Sequence, residues 1–127
     1  TSQLQTVAAI RYVTTGAYLA KIREYEQIEV DPRFAAQKAK LVAMTEQFEQ
    51  ACALVTSKDA SYIDFHARRL VEMAAHIIMS YLLIFDAAKS EDFVASARIY
   101  TAKAAAWNME RYQYIADFCP EDIESFK

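Results

Sequence analysis

The stretch from Ala60 to Ala88, ASYIDFHARRLVEMAAHIIMSYLLIFDAA, decides the fold class. Within it Ile63, Ala67, Leu70, Ala74, Ile77, Tyr81, Ile84 and Ala88 recur on an alternating four-three step. That step brings apolar side chains back to one face of a helix, whereas a strand would alternate faces at every second residue. Moving toward the C-terminus, the same step carries Phe93, Ala97, Tyr100, Ala104, Trp107, Arg111, Tyr114 and Phe118. Toward the N-terminus, Phe34, Leu41, Phe48 and Val55 recur every seven residues, with Met44 and Ala51 between them. The first segment, Gln3 to Gln27, has a helical composition but an ambiguous register. Tyr12, Leu19 and Ile22 form one possible core set, and Gly16 would allow a close helix approach.

Three punctuation points separate these segments. Asp31-Pro32 offers a capping aspartate and a proline that fits the first helical turn. Thr56-Ser57-Lys58-Asp59 is followed by Ser61 and Asp64 at capping-box-like spacing. Ser90 precedes Glu91 and Asp92, two acids placed where the positive end of a helix favours them. Cys119-Pro120 then stops the last helix before an acidic tail. The expected elements are helices over 3–27, 33–57, 60–88 and 91–118, with the tail over 119–127. Helices of roughly 25 residues are about 38 Å long, and connections this short make successive helices antiparallel neighbours. The expected architecture is therefore all-α: one domain, an up-down-up-down antiparallel four-helix bundle.

Composition agrees. Among 127 residues there are 23 alanines, one glycine and two prolines, and 54% are hydrophobic. A β-rich domain needs turn residues that are nearly absent here, and one glycine cannot build a phosphate-cradling loop. A chain this size buries roughly two thirds of its unfolded surface, enough to fold without disulfide or metal. The net charge of −3, with both signs interspersed, leaves no basic stripe for nucleic acid. Cys52 and Cys119 make no zinc-ligand spacing, and two thiols fit a reducing cytoplasm. No signal-peptide pattern opens the chain. The longest uncharged run, Met73 to Phe85, falls short of the ~20 residues of a membrane-spanning helix.

Helical bundles often carry di-iron sites built from Glu-x-x-His on two helices. Here the residue three before His66 is Ile63 and the residue three before His76 is Met73, so both motifs are missing. Glu72 and His76, four apart, are the remaining pair, and an ordinary helix-surface or core role explains them better than a metal. Arg111 stands on the apolar stripe between Trp107 and Tyr114 and requires a carboxylate, for which Asp64, Glu72 and Glu46 are candidates. Arg68-Arg69 reads as a solvated basic spot. No serine sits in a nucleophile elbow and neither cysteine has a local histidine. The expected catalytic, cofactor-binding and metal-binding residues are none. The run Met73 to Phe85 is apolar nearly all round, and such a helix is covered on more than one side. The surplus, including Met79, Leu82 and Leu83, points to something packed against the third helix from outside the bundle.

From Met73 to Ile115 the sequence MAAHIIMSYLLIFDAAKSEDFVASARIYTAKAAAWNMERYQYI resembles the helical C-terminal extension of some bacterial acyl-CoA dehydrogenases. An apolar, small-residue helix ends in Leu-Leu and Ala-Ala, a polar turn follows, and Ala and Tyr then alternate with Lys or Arg. Thr6 to Ile28 is similar to the helix that leaves the catalytic core of such enzymes. The resemblance implies that the chain is a piece of a longer flavoenzyme, and a start at Thr1 inside a helix-forming stretch fits that expectation. Family members bind FAD and dehydrogenate acyl-CoA at the α,β positions with a glutamate base. None of those parts is carried over: Glu24, Glu26, Glu46 and Glu72 are helical glutamates without that context. The resemblance also implies no cofactor in this segment, FAD in the parent, and packing of the His76–Phe85 face on the parent's catalytic domains or a second subunit of a homo-oligomer. Some relatives use such extensions at a membrane surface. The rival reading is a free-standing homodimeric helical adaptor with the same face as a symmetric interface.

Overall fold

The computed structural model describes residues 16–126 of the chain. Among them the elements are α1 (Ala17–Glu26), α2 (Ala35–Thr56), α3 (Ala60–Lys89) and α4 (Val94–Asp117). Short 3-10 turns run over Pro32–Phe34, Glu91–Phe93 and Pro120–Phe126, and the described residues contain no strand. Residues 3–15 of the expected first helix, Tyr12 with them, lie outside the described residues.

The helix starts follow local chemistry. Asp31 accepts from the Arg33 amide at 3.0 Å, with Pro32 in the first turn. Ser90 accepts from the Asp92 amide at 3.3 Å. At α3 the cap is Asp59, accepting from the Tyr62 amide at 3.0 Å, so the Ser61/Asp64 alternative is not used. Gly16 has a backbone role at the start of α1. It takes the left-handed conformation, φ 77°, just before α1, and an added Cβ would meet none of the described residues within 4 Å. The backbone angle, which other residues rarely adopt, is what calls for glycine there.

α3 is the central element and packs against α1, α2 and α4. α3 and α4 run antiparallel: the Tyr62 hydroxyl, near the start of α3, donates to the Ile115 carbonyl, near the end of α4, while His76 meets Asn108 midway. The stripe expected on α2 is buried as read, with Phe34, Leu41, Met44, Phe48, Ala51 and Val55 all in the core. On α3, Ala67, Leu70, Ala74, Ile77, Tyr81 and Ile84 are buried; Ile63 is half-buried and Ala88 exposed. Buried hydroxyls turn back on their own helices: Thr45, Ser80 and Thr101 each donate to the carbonyl four residues earlier at 2.8 Å.

α4 departs from expectation. Its core side is Ala97, Thr101, Ala104, Asn108 and Ile115, while Phe93, Trp107 and Tyr114 are exposed. The helix is turned so that small residues face α2 and α3, which allows close approach, and the larger rings sit on its flank. The tail also differs from a plain acidic extension. Its 3-10 turn buries Ile123 and lays Phe126 against Phe65 and Phe118, with ring centroids 5.2 and 6.3 Å apart.

Candidate docking face

By length and composition α3 is apolar enough to cross a membrane, a test its charge-free run alone did not suggest; 44% of its most apolar window is buried within the chain. Much of the width expected to face an outside partner is used internally. Ile77, Ser80, Tyr81 and Ile84 are buried, and α1 covers one flank by placing Tyr25 against Tyr81 at 6.1 Å and Phe85 at 5.7 Å. Leu83 is half-buried. What remains open is Met79, 45% exposed, and Leu82, 39% exposed. On α4, Trp107 is 36% exposed, its ring tilted against His76 at 4.9 Å and edge-to-face with Tyr100 at 5.8 Å.

His76 is held from below. Its Nδ1 lies 2.8 Å from Asn108 Oδ1, and Asn108 Nδ2 donates to the Met73 carbonyl at 3.1 Å. Asn108 is fully buried, so these bonds are what make its burial affordable. One turn away Glu72 pairs with Arg111 at 3.4 Å, selecting Glu72 from the three candidate partners. Arg111 also donates to the Trp107 carbonyl at 3.1 Å. Glu72 and His76 thus turn to separate partners on α4. Among the described residues no group of three or more His, Cys, Asp or Glu comes together to hold a metal.

Arg69 is not simply solvated. It donates to the Phe65 carbonyl at 2.9 Å and lies over the rings of Phe65 and Tyr114, at 5.0 and 4.5 Å. Arg68 is exposed as expected. The group that sequence reasoning missed is His66. It is fully buried, and neither ring nitrogen has a hydrogen-bond partner among the described residues. Tyr62, Phe65, Phe118 and Tyr114 surround it edge-to-face at 4.7 to 6.1 Å. Burial, with the Arg69 charge second, pushes its pKa down to about 4. Its only sequence signal was a histidine next to the core position Ala67.

Among the described residues, clefts open to solvent lie at one end of the α3–α4 pair, where α3 starts and α4 finishes, and along it. One of about 290 Å³ is lined by Arg69, Glu110, Arg111 and Tyr114, and another of about 170 Å³ lies between Lys58, Tyr62 and Pro120. Both fall below the ~300–1,000 Å³ that encloses a drug-sized ligand. A flavin dinucleotide is larger still, so neither of these two clefts fits one.

A family model described as acyl-CoA dehydrogenase C terminal matches residues 14–123. Among solved structures, the chain is similar to the crystal structure of an acyl-CoA dehydrogenase family protein from Porphyromonas gingivalis. The two are 43% identical, with a TM-score of 0.83, and the match covers 89% of this chain and 99% of that one. No curated protein matches.

Proposed function

The chain belongs to the acyl-CoA dehydrogenase C-terminal family, and from that premise we propose that it is a non-catalytic docking and oligomerisation domain of an FAD-dependent enzyme that dehydrogenates acyl-CoA. In this reading it is one helical domain of a longer cytoplasmic chain, built as an up-down-up-down antiparallel four-helix bundle. The antiparallel α3–α4 pair and the short connections support that topology. The flavin and the catalytic base belong to other parts of the enzyme, and no chemical step is assigned to this chain. Cys52 and Cys119, both free thiols, support a reducing compartment.

The observation that carries the docking role is the pair of exposed apolar side chains on α3, Met79 and Leu82, with Trp107 exposed on the neighbouring α4. The pair would lie on the catalytic domains of the parent or on a second subunit. The test is Met79→Glu with Leu82→Glu in the full-length enzyme. Both sites are solvent-exposed, so the helix should survive. Limited proteolysis should then release the domain, and the sedimenting mass of the assembly should fall. An enzyme unchanged in mass, thermal stability and protease resistance would show that the pair docks nothing.

A further inference from the structure

A second uncovered apolar line runs along α4, opposite its core side. Ala95, Ile99, Ala102, Ala106 and Met109 follow an alternating four-three step, continued by Gln113 and Ala116. All seven are exposed; Ile99 at 56% and Met109 at 59% are among the most open large apolar side chains of the described residues. Coiled-coil seams run on this same step, with each position covered by a partner helix. Arg98 flanks the seam on one side and Lys103 and Glu110 on the other. None of these three makes an ion pair among the described residues.

We infer that this seam pairs with the α4 seam of a second copy of the chain, antiparallel, about a two-fold axis. The flanking charges select the direction. In a parallel pair Arg98 would lie beside the partner's Lys103, twice over, which is repulsive. In an antiparallel pair like flanks meet, and one register sets Lys103 against the partner's Glu110 and Glu110 against the partner's Lys103. The same register opposes Ala106 to the partner's Met109, Ala102 to the partner's Gln113, and Ile99 to the partner's Ala116, so that a large residue meets a small one in every layer. Sliding by one heptad opposes Ile99 to the partner's Met109 and Ala102 to the partner's Ala106, and brings Lys103 beside the partner's Lys103. Volume and charge thus favour the same register, which is what a self-complementary two-fold interface requires. The inference uses a different helix face from the docking pair on α3 and does not depend on it.

Sedimentation equilibrium of the 127-residue chain tests it. The wild type should form a dimer. Lys103→Glu and Glu110→Lys should each weaken it about tenfold, because each reversal replaces two attractive pairs by two repulsive ones. The double reversal should return dimerisation to within about threefold of wild type, with helicity unchanged throughout. A wild type that stays monomeric at every concentration, or a double variant no stronger than the singles, overturns the inference. So does a dimer that ignores the α4 charges but is lost on Met79→Glu with Leu82→Glu, which would place the two-fold contact on α3. The docking reading is judged separately, in the full-length enzyme.

Discussion

Replacing His66 by phenylalanine should stabilise the chain and remove part of its sensitivity to acid. His66 is fully buried with both ring nitrogens unpartnered among the described residues, and leaving buried polar atoms unsatisfied costs about 1–3 kcal/mol. Edge-to-face contact with four rings offsets some of that. His66→Phe, similar in shape and apolar, should therefore gain about 1–2 kcal/mol at neutral pH. The pH dependence has a definite sign. The folded pKa, about 4, lies below the unfolded value of 6.5, so the proton binds the unfolded chain more readily. Stability is therefore at its full value above pH 6.5 and falls progressively as pH drops toward 4, because the unfolded chain takes up the proton first. Between pH 7.5 and pH 5 those two values give a loss of about 2 kcal/mol, from 1.36 kcal/mol per unit. Urea unfolding of wild type and variant, followed by circular dichroism at both pH values, measures the difference, and other titrating groups cancel in the comparison. If both proteins lose the same stability between pH 7.5 and pH 5, His66 is not a neutral group sealed in that cage.

Asn108→Leu should cost about 1–3 kcal/mol, since it strips the partner from the Met73 carbonyl and from His76 Nδ1; urea unfolding reads the loss, and a neutral result would mean that water replaces the amide. The two thiols should differ sharply. Cys119 is exposed, whereas Cys52 is half-buried and burial raises its pKa to about 12. Iodoacetamide at pH 8 followed by peptide mass spectrometry should label Cys119 in the native chain and Cys52 only in denaturant.

Periodicity, with the capping residues as punctuation, determined that the described residues are helical and where α2, α3 and α4 lie, to within about three residues. It also picked out the core face of α2, because the large apolar residues Leu41, Phe48 and Val55 recur there every seven residues, with Met44 between them. Asp31 and Ser90 could be recognised as caps because capping is local chemistry between a side chain and an amide two residues away. Tertiary structure alone decided which face of α4 is inside. That helix carries apolar residues on its aromatic flank, its alanine seam and its small-residue core side, so no period distinguishes them; the depth of approach to α2 and α3 does. Likewise Tyr25 from α1 covers Tyr81 and Phe85, which the sequence alone made available to an outside partner. Choosing Glu72 for Arg111, sealing His66 among four rings and docking Phe126 over Phe65 all required the relative positions of residues far apart in the chain. Those positions are set by packing many side chains at once, and no single segment encodes them.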